Sequence, residues 1–340
     1  MKIDSVESLE ALLATPSEAL VADVQKLAGD LMLLGAGGKM GPSLAMLARN
    51  ALDAAGRSGD VIAVSRFSDE AAERRLNDAG VKTVRADLLD EGQLAGLPEA
   101  ANVVYMAAMK FGTTGQEPRT WAMNTYLPGR VAERFKDSRI AAFSTGNVYP
   151  LTPLVTGAPT EDDPTGPVGE YAQSCLGRER MFQYFSSVHG TPVTLLRLNY
   201  AIEMRYGVLV DIALAVRDGQ PVDLAMGHVN VIWQGDANEI ALRSLLHASS
   251  PPTILNMTGP ETASVRRLAT RLGERLGKEP VFVGEEQGSA LLNDASRSHA
   301  LFGYPRVALN TMLDWVAEWV GAGGETSGKP TKFQVRTGDF

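Results

Sequence analysis

The sequence predicts an α/β protein with a doubly wound parallel sheet and a smaller C-terminal lobe. Short apolar runs alternate with stretches of helical periodicity over about the first 200 residues, which is typical of strand–helix–strand units. The runs are continuously apolar rather than alternating, as in parallel strands that are covered on both faces. Beyond residue 200 the alternation becomes irregular, which predicts the second, smaller lobe.

Each predicted strand of the main sheet is one of these apolar runs. They are LMLL (31–34), VIAV (61–64), KTV (82–84), VVYM (103–106), IAAF (140–143) and VTLL (193–196). After the first run, apolar residues recur at i, i+3 and i+4 from Leu44 to Ala55, which predicts a helix ending near Gly56. Further strands are predicted at 229–233 and 253–257, and further helices at 262–277 and 311–320.

The chain is predicted to divide into four parts. They are a helical extension over 1–28, an α/β domain over 29–200 with returning segments at about 228–258, a smaller lobe over 201–227 and 259–320, and a tail over 321–340. The tail is rich in Gly, Thr and Lys, a composition that predicts a mobile segment rather than a functional arm.

Composition excludes several classes of protein. The 340 residues carry a net charge of −8, which argues against nucleic acid or an anionic membrane as the main partner. A single cysteine excludes an intrachain disulfide framework and fits a reducing, cytoplasmic environment. The N-terminal stretch lacks the pattern of a signal peptide, and no apolar run is long enough to cross a membrane. The four histidines lack the spacing of a zinc site, so no metal is expected.

The segment GAGGKMG (35–41) follows the first predicted strand and precedes its helix. Glycines at Gly35, Gly37, Gly38 and Gly41 allow a tight turn, a close approach of backbone to a pyrophosphate and close packing of helix on strand. The start of the helix adds unpaired N–H groups and a partial positive charge. This combination predicts a dinucleotide cofactor on a Rossmann-type sheet.

The end of the second strand distinguishes NAD from NADP. An acidic residue there would accept hydrogen bonds from the adenosine ribose and repel a 2′-phosphate. The chain instead has Ser65 and Arg66, a hydroxyl and a guanidinium that suit a 2′-phosphate. NADP is therefore favoured, with NAD as the alternative because Asp69 lies close by.

The motifs that follow resemble those of the extended short-chain dehydrogenase/reductase family, in its branch of sugar epimerases and dehydratases. The likeness covers roughly residues 30–320 and begins with the GxxGxxG form of the glycine loop. STGNVYP (144–150) is similar to the family's Ser/Thr segment, and TEDDPTGPVGEYAQSCLGRE (160–179) to its Thr-Glu-x-x-Pro loop and Tyr-x-x-x-Lys helix.

The resemblance implies roles for individual residues. Thr145 matches the hydroxyl that binds the reacting substrate oxygen, and Tyr171 matches the acid/base, which also contacts the cofactor. Helices over 120–137 and 170–188 would form the four-helix interface of a homodimer. With the positions already named, the implied cofactor contacts are Gly35, Gly37, Gly38, Lys39, Met40, Gly41, Ser65, Arg66, Asp87, Leu88, Ala107, Ala108, Lys110, Asn124 and Tyr171.

The family's lysine falls on Cys175, four residues after Tyr171. A cation about 4 Å away, at an effective dielectric of about 20, lowers a tyrosine pKa by about three units, and a thiol supplies none of this. No histidine lies nearby in sequence to activate Cys175 as a nucleophile, so we interpret it as a replacement for the lysine. The helix dipole, Lys110 or Arg178 would be partial substitutes, although an arginine at position 178 usually faces solvent or a salt bridge.

Substrate signals are mostly negative. Gly146 and Asn147 stand where the dehydratase branch carries acids, which disfavours elimination of water. The segment 228–230 lacks the arginine that nucleotide-sugar enzymes place on a diphosphate, so a smaller sugar, sugar acid or polyol is expected. Arg197, Asn199 and Arg205 are candidates to face such a ligand.

Two functions therefore compete. The first is an NAD(P)-dependent oxidoreductase that acts on a sugar-like hydroxyl or ketone by reversible hydride transfer, as a reductase or an epimerase. The second is a non-catalytic NADP(H)-binding redox sensor or partner subunit. The retained Thr145 and Tyr171 favour the first, and Cys175 favours the second.

Overall fold

The computed structural model describes residues 3–110, 112–113 and 115–339, and it confirms the predicted fold class. Seven strands form one parallel sheet, flanked by helices on both faces. Its strands are β1 (Leu31–Leu34), β2 (Val61–Ser65), β3 (Lys82–Arg85), β4 (Asn102–Tyr105), β5 (Arg139–Thr145), β7 (Val193–Leu198) and β12 (Thr253–Met257). The short strands outside it are β6 (Thr152–Pro153), β8 (Ala201–Ile202), β9 (Pro221–Asp223), β10 (His228–Val229), β11 (Ile232–Trp233), β13 (Ala263–Ser264), β14 (Val281–Val283) and β15 (Ser289–Ala290).

The helices alternate with the strands through the first half of the chain and dominate the smaller lobe. They are α1 (Val6–Leu13), α2 (Glu18–Val24), α3 (Gly41–Ala54), α4 (Glu70–Asp78), α5 (Glu91–Ala95), α6 (Glu117–Trp121), α7 (Leu127–Arg134), α8 (Gly169–His189), α9 (Val208–Arg217), α10 (Gln234–Arg243), α11 (Val265–Leu276), α12 (Ser296–Phe302) and α13 (Leu309–Gly321). A π-helical segment, Ala122–Tyr126, joins α6 to α7.

The strand order β12-β7-β5-β4-β1-β2-β3 places β1 and β4 side by side near the centre of the sheet. From β1 the chain proceeds outward through β2 and β3, and then returns to β4 and continues in the other direction. In open α/β sheets, ligands bind beyond the carboxyl ends of the strands where the order reverses. The fold therefore places a crevice at the ends of β1 and β4.

Each face of the sheet has its own apolar core. Leu33 points into a cluster with α2, α3 and α10, whereas Leu34 points to the opposite face with α7 and α8. A third cluster holds the smaller lobe together, where α9, α11 and α13 pack on one another. The N-terminal extension is shared between domains, because Leu9 of α1 belongs to the lobe cluster and Leu20 of α2 to the sheet.

Three predicted elements differ from the structure. The stretch 229–233 forms two short strands, because β10 pairs with β13 while β11 pairs with β8. The helix predicted over 120–137 is interrupted by the π-helical segment. The tail is not a loose segment, since the side chain of Phe333 is buried in the lobe core and Arg336 donates hydrogen bonds to the Ser289 carbonyl and hydroxyl oxygens. Residues 1, 2 and 340 of the predicted extension and tail lie outside the described residues.

None of the helices in the described part of the chain combines the length and apolar character required to cross a bilayer.

Candidate cofactor and catalytic site

The glycine loop lies at the crevice between β1 and β4. Gly35 has φ +94°, and a Cβ there would lie 2.6 Å from the backbone nitrogen of Ala107 on the neighbouring loop, so only glycine fits. Gly38 differs, because a Cβ there would meet only its ordinary neighbour, the Gly35 carbonyl oxygen at 3.6 Å. The fold therefore does not require glycine at position 38, whereas a group bound against the loop would.

The crevice beside this loop has the size and polarity for a dinucleotide. Its volume is about 510 Å³, and it runs from the glycine loop past the ends of β2 and β3 to the loop after β4. The helix α3 begins directly after the loop, with Pro42 in its first turn and no side chain capping its N-terminal amides. Those amides remain available to a phosphate. The residues present thus fit a dinucleotide cofactor.

The residues after β2 face the adenosine end of this crevice. Ser65, Arg66 and Asp69 all line it. Asp69 is the N-cap of α4, where one carboxylate oxygen accepts hydrogen bonds from the amides of Ala71 and Ala72. Asp69, the acidic residue for which NAD was kept as the alternative cofactor, is therefore hydrogen-bonded within its own helix.

The other predicted cofactor residues divide into three groups. Gly35, Gly37, Gly38, Asp87, Leu88, Ala107 and Ala108 line the large crevice. Lys39, Met40 and Lys110 line a second, adjoining cleft together with Thr145 and Tyr171. Asn124 lines neither crevice, and Gly41 lies at the start of α3 with its α-carbon packed on Ala36.

The second cleft has a volume of about 160 Å³ and lies between the sheet and the smaller lobe. Thr145 ends β5, and Tyr171 stands in the first turn of α8. Glu179, eight residues further along α8, accepts hydrogen bonds from Ser144 at 2.6 Å and Arg197 at 2.8 Å, which fixes the helix on the ends of β5 and β7. These contacts place Thr145 and Tyr171 in the lining of the same cleft.

Burial raises the pKa of Tyr171 well above its ordinary value of 10, and only 7% of the residue is exposed. A hydrogen bond with Cys175 also raises this pKa, whereas Arg178 and Thr145 lower it. At neutral pH the phenol is therefore protonated, and it can donate a proton to an oxygen held in the cleft.

Cys175 is fully buried and unpaired with any other cysteine. Burial raises the pKa of its thiol above the ordinary value, so the group is neutral at physiological pH. It is consequently neither a cation nor a thiolate nucleophile. Its apolar neighbours include Val148, Tyr149 and Tyr171, the environment of a packing residue.

Arg178 does not face solvent, contrary to the usual position of such a residue. Its guanidinium is buried, and it donates hydrogen bonds to the Phe143 carbonyl at 2.8 Å and to Asn124 Oδ1 at 3.1 Å. Within the described residues, no carboxylate lies within ion-pair distance of it, and its buried Nε has no hydrogen-bond partner. Burying a cation beside neutral partners costs free energy. Because the guanidinium is buried away from water, its charge also acts on nearby groups with little screening.

Asn124 connects the catalytic helix to the loop after β4. Its side chain accepts a hydrogen bond from the amide of Met109, and it donates to the Met109 carbonyl and to Ser174 Oγ. It lies in the π-helical segment, a distortion that frequently marks functional sites. Its role is therefore to hold these elements, because its polar atoms all contact protein.

The three candidate ligand contacts in and after β7 lie in different environments. Asn199 lines the small cleft, whereas Arg197 is buried in its salt bridge with Glu179. Arg205 pairs with Glu10 and Glu203 and lines a separate cavity of about 360 Å³.

The residues of the small cleft that sequence reasoning missed include Tyr200, Tyr206 and Thr331. Tyr200 has φ +43°, a strained conformation for a non-glycine residue and one that often accompanies functional sites. Thr331 comes from the tail, which the sequence analysis had set aside on composition. Sequence spacing carries no signal for a residue that reaches the site from the far end of the chain.

Comparisons with known proteins agree with this architecture. The model of the NAD dependent epimerase/dehydratase family matches residues 31–202. Among solved structures, MoeE5 in complex with UDP-glucose and NAD is 20% identical, with a TM-score of 0.70 over 87% of this chain and 99% of that one. UDP-glucuronic acid 4-epimerase from Bacillus cereus in complex with NAD is 18% identical, with a TM-score of 0.71 over 86% of this chain and 96% of that one.

A third similar structure is UDP-glucose 4-epimerase from Thermotoga maritima with UDP-glucose, 18% identical with a TM-score of 0.69 over 86% of this chain and 99% of that one. At these identities, likeness shows the fold alone. No curated protein sequence matches the chain. The family match covers half of the chain, and it includes the glycine loop, the strand that ends in Thr145 and the helix that carries Tyr171. The chain belongs to the NAD dependent epimerase/dehydratase family.

Proposed function

We propose that this protein is an NADP-dependent oxidoreductase that transfers hydride to and from a sugar-like hydroxyl or ketone, as a reductase or an epimerase. The observation that carries the proposal is that Thr145 and Tyr171 line one cleft, next to the glycine-lined crevice. The bound cofactor would supply hydride donation and acceptance. The chain would supply binding, orientation and proton transfer.

The two hydroxyls have distinct roles in this proposal. Thr145 orients the reacting oxygen, since its Oγ1 is fixed by the amide of Asn147 at 3.2 Å. Tyr171 gives its phenolic proton to that oxygen as a ketone is reduced, and it takes the proton back when the alcohol is oxidised. The raised pKa of Tyr171 keeps the phenol protonated at neutral pH, which is the form that reduction of a ketone requires.

Arg178 is the proposed replacement for the missing lysine charge. It lies three residues after Cys175 on α8, and its positive charge lowers the pKa of both Tyr171 and Cys175 against the larger effect of burial. Because its guanidinium hydrogen-bonds neutral groups, this charge is not cancelled locally. Arg178 would thus act through Tyr171 as a positioning residue.

We assign the preference for NADP over NAD to Ser65 and Arg66. Arg66 is exposed at the crevice, and no ion pair engages its guanidinium within the described residues. A guanidinium matches a phosphate in charge and geometry. Two of the solved structures named above, MoeE5 and the Bacillus cereus epimerase, contain NAD, so this preference would distinguish the chain from them.

A homodimer is part of the proposal. The helices expected at its interface expose large side chains, with Tyr126 and Tyr184 each 58% exposed and Val188 53% exposed. These residues belong to the π-helical segment and to α8, which pack on each other. Exposed aromatic residues on a packed helix pair are typical of an interaction surface.

The second candidate is a non-catalytic NADP(H)-binding protein. It is favoured by the neutral, buried Cys175 in the lysine position. Calorimetry and cofactor absorbance together separate the two candidates: an enzyme binds NADPH and changes its absorbance with at least one sugar or keto-sugar of a panel. A binder takes up NADPH and leaves the whole panel unchanged. Tyr171→Phe should lower any activity by about 10²–10⁴-fold. It should change NADPH affinity little, because the other proposed cofactor contacts remain.

A further inference from the structure

The lining of the small cleft has an uneven charge. Among its described residues are two lysines, Lys39 and Lys110, and not one carboxylate. Lys110 lies with its ammonium 5.9 Å from the centre of the Tyr200 ring, and burial lowers its pKa to about 8. Burial also lowers the pKa of Lys39, to about 7. An anion in the cleft, beside Thr145 and Tyr171, would therefore stabilise the charged forms of both lysines.

Lys39 belongs to the glycine loop, but it lines the small cleft rather than the large crevice. Its ammonium donates a 3.3 Å hydrogen bond to the Ala201 carbonyl and lies 4.1 Å from the centre of the Tyr206 ring. Within the described residues, no carboxylate lies within 4.0 Å of it. A carboxylate or phosphate in the cleft would complete its coordination with a charge-assisted hydrogen bond.

The tail contributes one residue to the lining of the same cleft. Thr331 lines it and donates two hydrogen bonds to Asp211 Oδ2, from its amide at 2.7 Å and its hydroxyl at 2.6 Å. Five residues on, Arg336 donates to the Ser289 carbonyl at 2.7 Å. The tail then reaches α8, where Gly338 packs so closely on Val168 and Gly169 that a Cβ would not fit.

The tail contributes lining residues to two separate cavities. One is the catalytic cleft of about 160 Å³, and the other is the cavity of about 360 Å³ that Asp211, Asp223 and tail residues line. Pockets for drug-sized ligands measure about 300–1,000 Å³. The catalytic cleft is below that range with the tail in place, so it suits a small molecule.

We propose that the site takes a compact anionic sugar, a monosaccharide bearing one carboxylate or one phosphate, held by Lys39 and Lys110 beneath the docked tail. The proposal rests on the proposed function and names its substrate class. The docked tail limits the size of the ligand, and the two lysines favour a negative charge on it. A nucleotide sugar would require the contact between Thr331 and Asp211 to open.

Calorimetry with four probes tests this assignment. Glucose, glucuronate, glucose 6-phosphate and UDP-glucose are titrated into Tyr171→Phe protein, which cannot turn them over, with and without saturating NADPH. Glucuronate or glucose 6-phosphate should bind at least about tenfold more tightly than glucose, as expected for one charge-assisted hydrogen bond. The stronger of the two identifies carboxylate or phosphate as the anion.

Two sets of variants test the assigned residues. Lys39→Met should reduce the anion preference to about twofold or less, whereas Lys278→Met on the surface should leave it unchanged. Arg336→Ala, which releases the tail far from the lysines, should strengthen UDP-glucose binding by about tenfold and increase hydrogen exchange at Thr331.

Three results would overturn the proposal. They are glucose binding as tightly as both anions, UDP-glucose binding most tightly to the full chain, and Lys39→Met weakening NADPH alone, which would assign Lys39 to the cofactor. Failure of the proposed function is a separate result, because it appears in the NADPH titration before any sugar is added.

Discussion

The buried guanidinium of Arg178 lies one helical turn from the buried thiol of Cys175, and its positive charge lowers the pKa of that thiol against the opposing effect of burial. Cys175 is thus a neutral group at the position that the sequence resemblance assigns to a lysine. Arg178 is a cation without a carboxylate within ion-pair distance among the described residues. Arg178 therefore supplies a positive charge to this site from a position on α8 three residues after the one expected for the lysine.

A double-mutant cycle tests this compensation. Cys175→Lys alone places a second buried cation beside Arg178, and like charges in a buried site repel by up to about 4 kcal/mol at close range. We expect this variant to melt at least about 4 °C lower than the native chain. Adding Arg178→Ala should recover most of that loss, which differential scanning calorimetry would record.

Turnover of the same single and double variants should show the same coupling. Arg178→Ala alone is expected to lose turnover, and the double variant is expected to regain it, because one cation is restored beside Tyr171. Additive effects of the two changes on both melting temperature and turnover would show that the residues are uncoupled.

The pH dependence of reduction should reflect the raised pKa of Tyr171. A phenol with a pKa above 10 stays protonated throughout the neutral range, so the rate of reduction at saturating ketone should remain flat from about pH 6 to pH 9. The affinity for an anionic ketone should fall over this range, because Lys39 and Lys110 have pKa values of about 7 and about 8. The reverse oxidation needs the phenolate and should rise with pH over the same interval. Stopped-flow absorbance in both directions measures this, and a reduction rate that falls near pH 7 would exclude Tyr171 as the proton donor.

Tyr171→Phe should lower turnover by about 10²–10⁴-fold, because the proton donor is removed. The ring remains, so the packing around Cys175 is retained and NADPH affinity should change little. Tyr149→Phe is a useful comparison, since Tyr149 hydrogen-bonds the Thr160 carbonyl and Asn256 away from the cleft. Equal losses from both variants would indicate a structural rather than a chemical effect.

Arg66→Glu should reverse the nucleotide preference. Loss of a charge-assisted hydrogen bond and introduction of a like charge should weaken NADPH by at least about 10–100-fold, with little change for NADH. Arg74→Glu on the exposed face of α4 is the matched control. Fluorescence titration measures both nucleotides, and an unchanged ratio would remove Arg66 from cofactor selection.

Self-association should depend on the helix pair with exposed aromatic residues. Tyr184→Glu introduces a charge into the proposed interface and should shift the protein from dimer to monomer in analytical ultracentrifugation. Tyr304→Glu, at a residue 72% exposed elsewhere on the surface, should have no effect. A native chain that sediments as a monomer would contradict this part of the account.

Much of the fold could be predicted from local sequence signals. The strand Leu31–Leu34 matches the predicted run residue for residue, because a fully buried parallel strand is continuously apolar. The edge strand Thr253–Met257 also has the predicted bounds. The glycine loop could also be predicted from the sequence, since the close approach of Gly35 to Ala107 requires glycine at that position.

What sequence could not supply were contacts between distant segments. Arg178 reads as a surface residue of an amphipathic helix, and only tertiary packing shows that its guanidinium is buried against Phe143. The tail reads as disordered because of its composition, yet Phe333 and Arg336 anchor it to the smaller lobe. In both cases, long-range contacts outweigh the local pattern.

The central claim is that a nucleotide lies in the crevice beside Gly38 with its reactive end toward Tyr171. Titration of NADPH into the purified protein by isothermal calorimetry tests it most directly. The account predicts saturable binding of one nucleotide per chain, tighter for NADPH than for NADH and weakened by Gly38→Val, which fills the space left open beside the loop. Absence of heat with both reduced nucleotides would contradict it.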